Sequence, residues 1–400
     1  MRILCVFPFA PWPIKVRSYN LIPRLAQRHQ LDLVCVVRNP TERCHLEAVR
    51  PYCDRLRIGT YSLPGALLRS MLSLPTPTPL RIAYVASPSM RGAVEAAIRA
   101  NPPDVIYVER WRALQYVPPD CNIPVVCDPT DSMTLYNRRL MRTGCCWERL
   151  MAVGEFLKFR HYEAKLARRV ATTVFCSRVD MDFVQALAPE ANLVQVVNGV
   201  DCELFRAKST GEEQPDRLFF SGNFTYRPNC HAATYFLRKV LPIVKQAVPA
   251  VKLVIVGNQA KHFVDRNHAG IDGVEARDFV PEMRPYLAAA TVAVAPITVG
   301  AGVSNKLLEA FAVGTPIVAT SIACGDLPVR DGEHLFIAEA PALFAERVVT
   351  LLENANLRQH MAQRALTLVR REFDWDLVSR QMERVLCEAA QVEQLEESAA

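Results

Sequence analysis

One repeated phrase constrains this chain more than anything else. A short apolar, β-branched run is followed by a longer stretch with helical periodicity, and this happens along both halves of the 400 residues. RILCVFPF predicts a strand and SYNLIPRLAQRH a helix. LDLVCVV, DVIYVE and IPVVCDPTD predict further strands, with MRGAVEAAIRAN helical among them. One long helical region is expected from Ser132 to Arg169, ahead of the strand TTVFCS. In the second half DRLFFSGN, VKLVIVG, ARDFV, TVAVAPI and PIVAT predict strands. CHAATYFLRKVLPIVKQAV and MRPYLAAA predict helices between them. Parallel strands need a long crossover, and a helix supplies it. The expected class is therefore α/β with parallel sheets.

Four hundred residues is too long for one ordinary core and suits two domains. The join is expected near VVNGVDCELF, residues 196–205, with RAKSTGEEQPD as a polar linker. That gives a first domain over 1–200 and a second over 201–372. The tail FDWDLVSRQMERVLCEAAQVEQLEE carries Trp375, Leu377, Val378, Met382, Val385 and Leu386 on one stripe. It predicts a closing helix over about 373–400 that packs back towards the first domain.

Charge is uneven along the chain. Residues 1–200 hold 26 Lys and Arg against 16 Asp and Glu, and residues 201–400 hold 21 against 25. A basic first half suits an anionic partner such as a membrane surface or a phosphorylated acceptor, or is simply a solvated face. The 13 cysteines are scattered without C-x-x-C spacing, which points to thiols in a reducing cytosol. No apolar run reaches the roughly 18 residues that span a bilayer. The opening MRILCVFPFAPWP is broken by three prolines and reads as a buried strand rather than a signal peptide. A cytoplasmic location is expected, with peripheral contact at the inner membrane face.

The stretch GAGVSNKLLEAFAVGTPIVAT, Gly300 to Thr320, carries the chemistry. Glycines allow backbone N–H groups to come close to a ligand. A helix start offers unpaired N–H groups to phosphate, and Lys306 adds a full charge. Glu309 suits two vicinal hydroxyls, as on ribose. Together these groups fit a nucleoside diphosphate. The alternative is a solvated Lys–Glu pair beside an ordinary turn.

This stretch resembles the donor-site signature of family 4 glycosyltransferases with the GT-B fold. VVNGVD, FFSGNFTYRPN, VKLVIVG, ARDFVPEMRPYLAAATVAVAP and FDWD follow in the family's order, so the resemblance covers nearly the whole chain. It is strongest to a bacterial subgroup tied to polysaccharide biosynthesis, including exosortase-linked enzymes. The resemblance implies two Rossmann-like parallel-sheet domains facing across a cleft, the first for acceptor and the second for a nucleotide-sugar donor. It implies a hexosyltransferase that moves a sugar from a UDP-sugar to a hydroxyl acceptor with retention. No metal and no nucleic-acid partner are expected. The rivals are a nucleotide-sugar-binding protein without transferase activity, and an epimerase or hydrolase on the same fold.

Residue by residue, the resemblance places Glu309 on the donor ribose. Gly302, Val303, Ser304 and Asn305 line the loop near donor sugar and phosphates. Gly222 and Asn223 form the turn beneath the diphosphate, with Arg227 and Lys306 as its cations. Phe279 and Val280 line the base pocket. Two departures stand out. Ala301 occupies the place of the first of two glutamates, which faces the donor sugar in relatives. PFAPWPIKVRSYN replaces a glycine-rich first loop; its Lys15 and Arg17 either meet an anionic acceptor or the leaving phosphate, or are exposed loop cations.

Asp128 and Asp131 end a first-domain strand. Either could deprotonate or orient an acceptor hydroxyl, or cap the helix expected at Ser132. Residues 138–169 are basic, with Trp147, Leu150, Met151, Phe156 and Leu157 interleaved. They form either a surface for anionic lipid or a helix pair with its apolar side in the core.

Overall fold

The computed structural model describes residues 1–12, 15–38, 40–60, 62–143, 146–298 and 305–391. These form two compact units, Met1–Val197 with Asp376–Ala400, and Asn198–Trp375.

Unit one holds seven parallel strands: β1 (Arg2–Phe7), β2 (Gln30–Val36), β3 (Arg55–Gly59), β4 (Val105–Glu109), β5 (Val125–Thr130), β6 (Thr172–Phe175) and β7 (Leu193–Gln195). Their order is β3-β2-β1-β4-β5-β6-β7. Every residue of Ile3–Phe7 is at most 1% exposed, so both faces of this interior strand are covered. This is why β1 reads as a continuous apolar run instead of an alternating one. The helix Trp375–Ala390 buries Val378, Met382 and Leu386. Its Glu383 pairs with Arg28 and His29, and its Asp376 with Arg24, all in unit one.

Unit two holds six parallel strands: β8 (Arg217–Ser221), β9 (Lys252–Val256), β10 (Val274–Arg277), β11 (Val292–Ala295), β12 (Ile317–Ala319) and β13 (Phe336–Ile337). Their order is β10-β9-β8-β11-β12-β13. In each sheet the order reverses beside the first strand, between β1 and β4 and between β8 and β11. Open parallel sheets take ligands beyond the strands' C-terminal ends at such a reversal.

Two expectations need correction. The strand expected over ARDFV ends at Arg277, because its last partner on β9 is Val256, where that strand also stops. The helix expected over 230–248 starts at Arg227 and is broken into Arg227–Tyr235, a π turn Phe236–Val240 and Leu241–Ala247. Pro242 has no N–H to give to the preceding turn, which forces the wider loop of hydrogen bonds. The region Ser132–Arg169 is two packed helices, Met133–Thr143 and Cys146–Arg169.

Candidate functional site

In unit two, β8 ends in the turn Gly222–Asn223. The Gly222 N–H donates to Val256 O at 3.0 Å, which holds the ends of β8 and β9 together. Gly257 has φ +140°, and a Cβ there would lie 1.9 Å from Gly222 O. Only glycine permits that approach. The Asn223 side chain closes the turn: its Oδ1 accepts from Thr225 N at 3.0 Å and from Thr225 Oγ1 at 2.8 Å.

Beyond β11, the helix Asn305–Val313 buries Leu307, Leu308, Ala310 and Phe311. That burial fixes the direction of the opposite stripe, where Lys306 and Glu309 sit one turn apart. Lys306 Nζ lies 4.6 Å above the Phe220 ring of β8 and donates to Asn229 Oδ1 at 3.2 Å. Asn229 in turn donates to Asn223 O at 3.0 Å. The two sides of the β8–β11 reversal are therefore stitched by Asn229, a residue inside the quoted YRPN motif to which sequence reasoning assigned no role.

The electrostatics are those of a site short of counter-charge. Burial pulls the Lys306 ammonium down to about 8, while Glu309 pulls it up. Burial pushes the Glu309 carboxyl up to about 7, while Lys306 pulls it down. Both are part-buried, and among the described residues Glu309 has no hydrogen-bond or ion-pair partner. An ammonium and a carboxylate held this way are each ready to gain from a ligand that hydrogen-bonds their charged forms.

The other expected donor residues are distributed around this point. Arg227 is the exposed first residue of its helix. Phe279 is 62% exposed in the segment after β10, and Val280 beside it is part-buried. Asn305 Oδ1 accepts from Asn198 Nδ2 at 3.5 Å. Ala301, Gly302, Val303 and Ser304 lie outside the described residues. Among the described residues no group of His, Cys, Asp or Glu could hold a metal ion.

In unit one the expected residues separate into two sets. Arg17 and Asp128 are 3% and 0% exposed and form an ion pair, to which Tyr107 adds an O–H donation at 2.9 Å. Arg17 also donates to Val197 O at 3.1 Å. Arg17, offered as a ligand cation, and Asp128, offered as an acceptor base, here take each other as partners. They face each other inside the sheet's end, where the pair ties the helix Val16–Ala26 to β5.

Asp131 is different. It is 42% exposed, and Arg110 Nη1 lies 3.4 Å from its Oδ2. It does not cap the following helix, since Ser132 Oγ accepts from Leu135 N at 3.1 Å and the buried Glu163 accepts from Met133 N at 2.6 Å. Around it the backbone is strained. Arg110 has φ +73° and Thr130 +72°, two left-handed non-glycines on neighbouring strand ends. Each costs about 1–3 kcal/mol, and such residues gather at functional sites. Glu109, 2% exposed, is pushed up to about 7 by burial. Sequence reasoning missed Glu109 and Arg110; the polar end of DVIYVERW was the available signal.

Residues 215–354 match the model of one protein family, Glycosyl transferases group 1. The matched segment is similar to the group 1 glycosyl transferases. It contains every described donor-side residue named above except Asn198. A phosphatidyl-myo-inositol mannosyltransferase of Mycobacterium tuberculosis is 30% identical over 240 residues, 56% of this chain. The chain matches 61% of that relative's length. Among solved structures, a sucrose-phosphate synthase from Thermosynechococcus elongatus superposes with TM-score 0.71 at 14% identity, over 97% of this chain and 99% of the other. The Anabaena protein HepE, solved with UDP and glucose, does so with TM-score 0.67 at 16% identity, over 97% and 100%. The fold is GT-B, with the group 1 segment forming most of unit two.

Proposed function

We propose that the protein is a glycosyltransferase that moves a hexose from a nucleoside diphosphate sugar, a UDP-sugar, to a hydroxyl acceptor. The observation that carries the reading is the set Lys306, Asn229 and Glu309 at the β8–β11 reversal. The ribose would take two hydrogen bonds from its hydroxyls onto Glu309. The diphosphate would lie by Lys306 and Arg227, whose charges and nearby backbone N–H groups stabilise the leaving group as its charge develops. Retention at the anomeric carbon is the outcome the family resemblance supports. Calorimetry against UDP, GDP, ADP and TDP, with Glu309→Ala in parallel, tests the reading. One nucleotide should bind wild type and bind the variant weakly. Absence of binding by all four would overturn it.

Peripheral contact with an anionic membrane belongs to the same proposal. The mannosyltransferase relative is named for a phospholipid, which fits an acceptor at a lipid surface. In unit one the helix Leu63–Leu72 exposes Leu63, Leu67, Leu68, Met71 and Leu72 at 57–67%. The basic helix Cys146–Arg169 exposes Trp147, Leu150 and Leu157 at 60–68%. Lys158 joins them, donating to Ser73 O at 2.8 Å and Leu74 O at 3.0 Å. Exposed apolar residues beside cations suit the headgroup boundary of an anionic bilayer. No helix among the described residues is long and apolar enough to cross a membrane. Flotation with phosphatidylglycerol vesicles should retain wild type and release a Leu67→Ser/Leu68→Ser/Met71→Ser variant. Equal flotation of both would reject this surface.

A further inference from the structure

Unit one has its own reversal of strand order, between β1 and β4. The register sets Val6 beside Val108, so the chain leaving β1 and the chain leaving β4 emerge side by side. Both exits are cationic. Lys15 follows the first, and Arg110 and Arg112 follow the second. The carboxylates nearest them are Glu109, whose Oε1 lies 4.0 Å from Arg110 Nε, and Asp131.

Arg110 is answered by Asp131 and by Pro129 O, but Lys15 and Arg112 are poorly answered by the protein. Among the described residues, the Lys15 ammonium has neither a hydrogen bond nor an ion pair; it stands 4.8 Å over the Phe9 ring. Arg112 Nε is shut away from solvent without a hydrogen-bond partner. Buried donors are ordinarily satisfied, so an unmet one calls for an explanation. Arg110 is held in a left-handed conformation that spends backbone energy to place its side chain. Thr130, left-handed on the next strand end, has a buried Oγ1 that also lacks a partner.

The cations also work against one another. Burial lowers the Lys15 ammonium, and the charges of Arg110 and Arg112 lower it further. Arg112 is brought down to about 10 by burial and by Arg110, Arg38 and Arg81. Like charges gathered at a ligand-binding edge, with donors left open, are stabilised by an anion that settles among them. Two guanidinium groups favour the tetrahedral, multiply charged oxygens of phosphate.

We propose that Lys15, Arg110 and Arg112 form a seat for a phosphate group carried by the acceptor. The word acceptor rests on the glycosyltransferase reading; the anion seat itself does not. The phosphate could belong to a soluble sugar phosphate or to a lipid headgroup, and the recognition chemistry is the same for both.

The test uses the full chain with two probes, glycerol 3-phosphate in solution and phosphatidylcholine vesicles containing phosphatidic acid. Wild type, Arg112→Gln and Lys15→Gln are compared, with melting temperature as the fold control and UDP binding as the control for unit two. Wild type should bind at least one probe, and each variant should bind it at least about tenfold more weakly while still binding UDP. Binding of glycerol 3-phosphate assigns a soluble phosphate; variant-sensitive binding of vesicles alone assigns a lipid one. Unchanged binding in both variants overturns the seat. So does failure of wild type to bind either probe, or loss of phosphate binding in Lys306→Gln alone, which would move the anion to unit two. Failure of UDP, GDP, ADP and TDP alike to bind, with Arg112-dependent phosphate binding intact, would remove the transferase reading and leave the seat standing.

Discussion

The two sheets end in polar clusters that differ in how they are assembled. In unit two, Lys306 and Glu309 share one helix, and the Asn229 amide joins Lys306 to the neighbouring strand end. In unit one, the polar groups come from four separate exits, at Lys15 and Arg17, Glu109 to Arg112, Asp128 to Asp131, and Val197. Part of that cluster is sealed as an ion pair, and part is a group of cations with few partners. The comparison teaches that one architecture can build a site from local spacing or from long-range convergence. The group 1 match stops within unit two, where spacing is local.

The largest expected effect tests whether the sealed pair is structural. Asp128→Ala leaves the buried Arg17 charge without its carboxylate, which costs about 3–5 kcal/mol. Chemical denaturation should show that loss, and the double change Arg17→Met/Asp128→Leu should recover most of it. A stable, inactive Asp128→Ala protein would instead return Asp128 to catalysis.

Next comes Glu309→Ala, which removes charge-assisted bonds worth roughly 1.5–3 kcal/mol. Calorimetry should find UDP held about 10- to 100-fold more weakly, with the melting temperature scarcely lower. Because the carboxyl has its pKa raised to about 7, removing it also removes a buried charge that the fold tolerates at a cost.

The pH dependence follows from the same two groups. Nucleotide binding needs Glu309 ionised and Lys306 protonated, so affinity should be greatest between about 7 and about 8. It should fall below that window as Glu309 takes up a proton and above it as Lys306 loses one. Stability of the free protein has the opposite sense. The folded-state pKa of Glu309 is raised, so its charge penalty is full above about 7 and disappears as pH falls below the ordinary 4.5. Lys306, lowered from 10.5 to about 8, carries its penalty below about 8 and sheds it as pH rises through 10.5. A flat affinity profile across this range would show that neither group meets the nucleotide.

The smallest effect is expected from Asn229→Ala. It removes the bonds to Lys306 and to Asn223 O that orient the ammonium, and should weaken UDP by about fivefold, roughly 1 kcal/mol. If it matched Glu309→Ala, Asn229 would itself be touching the ligand.

Much of unit two was legible because its signals are local. Gly222 and Gly257 mark a close backbone approach, and the helix carrying Lys306 and Glu309 shows both its buried and its polar stripe in sequence. Asn229 was quoted without a role because its partners, Asn223 and Lys306, lie 6 and 77 residues away. In unit one, Arg17 looked like a loop cation, since nothing near it in sequence announces Asp128, 111 residues on. The helix Leu63–Leu72 went unread for another reason. Its leucines look like core residues, and only their exposure in the folded chain separates a solvent-facing stripe from a buried one.

The sequence by itself determined the class of fold, the alternation of strands and helices, and the pairing of a cation with a carboxylate on one helix turn. Periodicity and propensity act over a few residues and survive as patterns in the chain. The tertiary structure alone decided which charges are sealed and which are offered, and which apolar residues face solvent. Those outcomes depend on what distant segments bring to the same point, and on whether water still reaches it.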